Sequence, residues 1–515
     1  MRIQCISPLI LCLGTIPAFC QPIIWTGGYD PNRSNSNLKE TILNTSNVNP
    51  ATFGKIFTRA VDGNIYGQPL WLPGSTPGAT NVVFTATMHN TVFAFDADIA
   101  ANSTPVWSKN LGPSVPAIFY NCADLNYSPE VGIMSTPVIN VTTFTIYVVA
   151  NTFEDGKSVY RLHALDIRNG QEKPGSPVVI QASVPGTGSN SVGGVVKFDP
   201  AQHFQRPGLV LSNGNVYVSF GSHCDTPPYH GWFMGYNASN VSQQMSVLCI
   251  TPNGDEGSIW QSGRTPPVDT SGNVYIETAN GDYDGVTNWG ESVIKVSTTT
   301  PTLTVTDWFT PDYWMGLNSG DKDVGSSGGV IIPNTNTLLA GSKLGNLYVM
   351  DKTRMGHLVP GNGQILQIFQ PVVYGIYNIA LWNNSNGLSA YFWGWGDTIK
   401  AYKMSGGIFV TTPSSQGNQV ISGFPGGILA VSANGSTAGS GVVWATTRGA
   451  NSSNFGTFHA YDASDVSKEL WNSNMVPTRD TLPSLAKFAT PTVANGKVFV
   501  PTYSNFLEVY GLLGH

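Results

Sequence analysis

Charge is scarce in this 515-residue chain: Asp, Glu, Lys and Arg together make up 11% of it, and 31 acidic against 25 basic side chains leave a net charge of −6. No basic run occurs, so the electrostatic footprint needed for nucleic acid or an anionic membrane surface is missing, and neither partner is expected. Beyond the first 20 residues no apolar stretch approaches the length that crosses a bilayer. Cysteine is sparse, six in all, with no adjacent Cys-Cys pair and no Cys-X-X-Cys-His segment, which leaves no covalent haem site of that kind. Nothing resembling an interdomain linker interrupts the chain, which argues for one large domain despite its length.

What is abundant is Gly (57), Pro (34) and aromatic residues (11%), arranged in a unit that recurs eight times. In each unit an apolar strand ends in a small turn, a second strand follows with a Gly or Asn turn, and then a third. Clear copies are TATMHNTVFAFDAD (85–98), RPGLVLSNGNVYVSFG followed by GWFMGYNAS (206–239), and GGVIIPNTNTLLAGSKLGNLYVMDK (328–352). Small sheets repeated at this interval cannot each bury both faces alone and must stack around an axis. The expected fold is all-β, an eight-bladed β-propeller of four-stranded antiparallel blades. The last unit stops at Leu513, three strands in, while FGKIFTRAV (53–61) has strand character; that segment is expected to supply the missing strand, closing the ring with N- and C-terminal strands. The organisation reads as a signal peptide (1–20), an N-terminal extension (21–52) and the propeller (53–515).

Residues 1–20 carry one Arg, an apolar run from Pro8 to Leu13, and Ala18-Phe19-Cys20 before Gln21, the pattern of a secretory signal. A lipid anchor on Cys20 fits less well, because Phe19 is large for the preceding position. A secreted, soluble protein is expected. Cleavage leaves Cys122, Cys224 and Cys249; Cys122 and Cys224 border long polar loops and are the expected disulfide, whereas Cys249 in SVLCI reads as a buried thiol. Asn-X-Ser/Thr sites such as Asn44, Asn102 and Asn237 would carry glycans in a eukaryotic host.

The phrases VVFTATMHNTVFAFDADI, VYRLHALDIRNG, TFHAYDASD and TPTVANGKVFVPT resemble repeats of the pyrroloquinoline quinone (PQQ) type, the propeller of quinoprotein alcohol dehydrogenases. Trp107 after Asp96 and Trp471 after Asp462 match that family's Asp followed by a docking Trp. CADLNYSPEVGIMSTPVI (122–139) and GSHCDTPPYHGWFMGY (221–236) resemble a subgroup of secreted PQQ-like propellers of soil bacteria and fungi. A fungal branch of similar propellers includes hetero-Diels-Alderases of tropolone-sesquiterpenoid biosynthesis, a resemblance that extends to reaction class only.

Antiparallel topology puts the loop after the second strand of each blade and the connection to the next blade on one face. There the loops are long (Leu111 to Pro129, Gly221 to Gly231, Ala279 to Gly290, Trp308 to Asp323), and opposite they are short turns such as Asn213-Gly214. Long loops on a rigid scaffold are the usual place for a site. Glu130, His223, Asp225 and His230 are the candidate acids and bases. The two histidines flank Asp225 at a metal-ligand-like spacing, or else satisfy loop carbonyls. Tyr229, Trp232, Tyr313, Trp314, Trp393 and Lys343 are the candidates for binding substrate. Asp321 and Asp323 lack the spacing of a calcium loop.

The expectation is an axial, aromatic-lined funnel that binds an organic small molecule, as a cofactor-independent cyclase of the hetero-Diels-Alderase type. A non-catalytic binding propeller and a PQQ- and Ca²⁺-dependent oxidoreductase are the alternatives. The missing vicinal disulfide, and the lack of a calcium set beyond Glu130, weigh against the last. No cofactor and no metal are therefore expected.

Overall fold

The computed structural model describes residues 22–74, 79–122, 128–299, 302–449 and 455–514; the expected signal peptide lies outside them. Eight antiparallel sheets follow one another along the chain. Blade one comprises Leu70–Leu72, Val82–Ala86, Thr91–Asp96 and Trp107–Asn110, and blade two Val138–Asn140, Thr145–Glu154, Lys157–Asp166 and Val178–Val179. Blade three holds Val210–Ser212, Asn215–Ser222, Trp232–Asn237 and Gln244–Cys249. In blade four, Val268 bridges Val274 at the inner edge of Val274–Glu277, Val293–Ser297 and Thr304–Phe309. Blades five to seven begin at Val330, Ala380 and Ile428. In the eighth, Thr492–Ala494, Lys497–Pro501 and Phe506–Leu512 are joined by Phe53–Ala60, which pairs antiparallel with the last strand from Phe53↔Leu512 to Ala60↔Phe506.

The middle strands are buried on both faces, which is why Val82–Ala86 and Thr91–Asp96 read as continuous apolar, β-branched and aromatic runs rather than as alternation. The outer strand Trp107–Asn110 buries only its Trp. That indole donates from Nε1 to the Ile167 carbonyl of blade two at 2.8 Å and lies against Gly170, where a Cβ would stand 2.6 Å from the ring. Trp471 likewise packs against Tyr510 of blade eight, ring centroids 5.6 Å apart. The opposite-face turn at Asn213-Gly214 has both central residues left-handed (φ 46° and 75°), the geometry that suits a two-residue hairpin.

The segment after the expected signal is not an appended tail. It runs across the ring and hydrogen-bonds to the innermost strands of blade after blade. Trp71 N–H donates to Ile24 O, Ile139 to Trp25, Val268 to Pro31, Ile331 to Asn32, Leu381 to Ser34 and Val431 to Asn35, all between 2.8 and 3.0 Å. Asn37 Nδ2 then donates to Val493 O of blade eight. Innermost strands have an unpaired edge facing the axis, and these contacts satisfy it. At the centre, buried Arg33 donates to the Pro266, Gly27 and Asp30 carbonyls and to Thr26 Oγ1. Burial pushes its pKa down to about 9 and pushes that of Asp30 up. The extension is thus an axial plug of the propeller. No helix among the described residues is long and apolar enough to cross a membrane.

Candidate functional site

Opposite the plug's short-turn side, the loops after the second strands and the connections between blades enclose a cavity of about 490 Å³. Phe204 and Arg206 enter from the connection into blade three, Ser222 from the end of its second strand, and Cys224 and Asp225 from the loop that follows. Trp260 comes from the connection between blades three and four, Asp321 and Asp323 from that between four and five, and Lys343 from the loop after the second strand of blade five. Tyr374, Tyr377, Trp395, Phe424, Lys487 and Phe488 complete the wall from blades six to eight. This is the face that loop length singled out.

Its densest chemistry surrounds Asp323, which is buried. Trp260 Nε1 donates to Asp323 Oδ2 at 2.8 Å, and Lys343 Nζ lies 3.1 Å from the same oxygen. The amide nitrogen of Asn280 donates to Asp323 Oδ1 at 2.8 Å and to Glu291 Oε1 at 2.9 Å. Lys343 also pairs with Asp321 and stands 5.3 Å from the Trp260 ring centroid. Burial raises the Asp323 pKa to about 6, with Asp321 and Asp225 adding to the rise and Lys343 opposing it. Burial works against the Lys343 charge too, but Asp323 and Asp321 outweigh it and hold the ammonium above its ordinary value. Glu291, buried beside Asp323, is raised well above the carboxylate range by burial and by that neighbour.

Of the residues singled out from sequence, Asp225, Asp321, Asp323, Lys343 and the disulfide-bonded Cys224 line this cavity. Cys122 and Cys224 are bonded, with Cα atoms 5.8 Å apart, and Cys249 is a buried free thiol. The other candidates stand elsewhere. His223 is buried against Tyr120 and Phe204, behind the funnel wall. His230 is buried, with Nδ1 3.0 Å from Thr251 Oγ1 and Nε2 2.9 Å from Ser189 O, the loop-satisfying arrangement. Glu130 does not enter an innermost strand; it sits on a two-stranded ribbon (Val115–Pro116 with Glu130–Val131), where it meets His89 Nδ1 at 2.9 Å and Ser114. Trp232 lies in the core between blades two and three, and buried Tyr229 leaves its hydroxyl without a partner. Trp393 packs on His459 and Tyr461 and donates to Asp397 O. Tyr313 bonds Tyr348, and Trp314 edges onto Tyr283, both outside the cavity lining.

No family model and no curated protein sequence matches the chain. Solved structures do resemble it. The quinohemoprotein alcohol dehydrogenase of Comamonas testosteroni aligns over 96% of this chain and 81% of its own, with a TM-score of 0.61 at 14% identity. Sqt1 of Saccharomyces cerevisiae aligns over 90% of this chain and 99% of its own (TM-score 0.51, 10% identity), and a europium-containing methanol dehydrogenase over 94% and 82% (TM-score 0.49, 13% identity). The fold is therefore a β-propeller similar to that of quinoprotein dehydrogenases.

The expectation of a site without a cofactor is corrected on this ground. The first of these neighbours, which shares the architecture almost end to end, is by its name a quinone- and haem-carrying dehydrogenase. A planar quinone with several carboxylates needs a flat apolar surface and cations around it; Trp260 and Phe488 offer the first, and Arg206, Lys322, Lys343 and Lys487 the second. These residues fit. A calcium ion is served less directly, since among the described residues no three His, Cys, Asp or Glu side chains converge.

Proposed function

We propose that the funnel seats a planar, anionic redox cofactor of the quinone class and that the protein is an oxidoreductase acting on a small organic substrate. One observation carries this reading: Lys343 stands over the Trp260 ring while both engage the single buried carboxylate of Asp323. When bound, such a group supplies two-electron acceptance. Trp260 offers a face for stacking, and Lys343 a cation held in place by two carboxylates. Asp323, with a pKa near 6, is ionised at neutral pH and suited to take a proton from a substrate hydroxyl at Oδ1, since Oδ2 already holds Trp260 and Lys343. Tyr377, Phe424 and Phe488 give the approach to that carboxylate an aromatic wall. The Cys122–Cys224 disulfide supports a place of work outside the reducing cytoplasm.

The test is a titration of the purified chain with PQQ, with and without Ca²⁺, followed by absorbance and by reduction of a dye acceptor with a panel of alcohols. Saturable binding and substrate-dependent dye reduction are expected. Absence of binding under both conditions contradicts the reading.

A further inference from the structure

A second, small cavity lies between the axial plug and the residues that lead into the innermost strands, and it shares no lining residue with the funnel. Gly27, Gly28 and Arg33 come from the plug, and Thr136, Thr265 and Gly328 stand two or three positions before the innermost strands of blades two, four and five. The cavity measures about 10 Å³, room for one water-sized body. Glycine keeps it open. A Cβ on Gly27 would stand 2.3 Å from Thr265 Oγ1, and one on Gly328, whose φ of +61° favours glycine, 2.1 Å from the Arg264 Cβ.

Positive charge and unused donors meet here. Arg33 directs Nε and Nη1 to four acceptors, and Asp30 offsets its charge. Arg264, which also lines the cavity, has no such offset. Its Nη1 donates to Thr490 Oγ1, while its buried Nε has no partner. Burial pushes its pKa down to about 9 with no neighbouring carboxylate to hold it up, so the guanidinium stays charged at neutral pH. The buried Thr265 hydroxyl lacks a partner as well. Glu277, across Gly328, does not supply the missing charge. It accepts from the Ser327 and Gly328 amides and the Ser327 hydroxyl, and burial raises its pKa to about 8, which keeps it mostly protonated at neutral pH.

The turn that presents Arg264 is strained: Gln261 and Ser262 have φ of 42° and 47°, left-handed without being glycine. Such a conformation persists only where its surroundings over-determine it. A guanidinium taken out of water without a counter-charge is strongly unfavourable, and a monatomic anion supplies both the charge and the missing acceptor. Acetate, phosphate and sulfate are too large for a space of one water. The unpaired acceptor in the lining, Asn35 Oδ1, suits a water rather than an anion, but it carries no charge to set against Arg264.

We propose that this cavity is a halide site, holding one chloride between the Arg264 Nε–H and the Thr265 hydroxyl with Arg33 as a second positive charge. The ion ties the plug to the connections before blades four and five. It stands whatever the funnel binds.

The test is thermal melting of the full chain in chloride, bromide or acetate at constant ionic strength. Chloride and bromide should each give a saturable rise in Tm of about 2 °C or more over acetate at about 100 mM. Arg264→Gln should lose this dependence, Arg264→Lys should keep part of it, and Thr265→Val should weaken the apparent halide affinity about three- to tenfold. Wild-type crystals grown in sodium bromide provide a second measurement should Arg264→Gln fail to fold: anomalous density for one bromide beside Arg264 Nε and Thr265 Oγ1 is expected. Equal melting in chloride and acetate, a halide effect undiminished in Arg264→Gln, or a cavity that holds water and no bromide overturns the site.

Discussion

Lys343 and Trp260 close on one oxygen: the ammonium lies 3.1 Å from Asp323 Oδ2, the indole Nε1 donates to it at 2.8 Å, and the two side chains face each other at 5.3 Å. A cation from a loop within blade five and an aromatic face and a buried carboxylate from two different interblade connections are thus fixed relative to one another by direct contacts. None of the three needs a ligand to hold its position, which is what a preorganised site requires.

The protonation of Asp323 should be visible in stability. Its folded pKa, about 6, lies above the ordinary carboxylate value, so the folded protein holds this proton more tightly than the unfolded chain. That contribution is full below about pH 4 and is lost as pH rises through about 6. Burial is the main cause of the rise, Asp321 and Asp225 push in the same direction, and Lys343 opposes them. Urea denaturation of wild type and Asp323→Asn at pH 4.5 and 7.5 should show the wild-type advantage shrinking by about 1–3 kcal/mol at the higher pH. An advantage that grows with pH contradicts the assignment.

The axial plug should be indispensable. Arg33→Met leaves the Pro266, Gly27 and Asp30 carbonyls and Thr26 without their donor in a buried site. The expected cost is about 3–5 kcal/mol, read as a fall in the denaturation midpoint with no change in slope. A loss below about 1 kcal/mol would show that the plug is only laid on the ring.

The disulfide closes a loop of 102 residues between the approach to blade two and the loop after the second strand of blade three. Replacing both cysteines by Ser should lower stability by about 2–5 kcal/mol, with Cys249 untouched as an internal control. Equal stability of the double variant and the wild type would contradict a structural bond.

Much of the architecture was legible because it is periodic. Hairpins such as the one at Asn213-Gly214 recur with buried strands on either side, and the segment Phe53–Ala60 was the one strand-like stretch left to pair with the last sheet. The face of the site was legible from loop length alone. The residues in it were mostly not: Arg206, Trp260, Lys487 and Phe488 sit singly on connections between blades, 54 or more positions apart except for the last two, and no local motif joins them. The spacing of His223 and His230 suggested a functional pair, yet the loop turns both rings inward, one into aromatic packing and the other onto Thr251 and Ser189. Trp232 and Trp393 answer to packing between blades, the common fate of a propeller Trp. The plug was missed because residues 24–37 have no periodicity of their own; their backbone partners are edges supplied by distant blades.

The measurement that bears most directly on the central claim is calorimetric binding of PQQ to wild type, Lys343→Ala and Trp260→Ala, each shown by melting to be folded. The account predicts saturable binding to wild type and about tenfold or greater weakening in each variant, the loss of one cation or one stacking face. Binding that is absent from wild type, or undiminished in both variants, would contradict it.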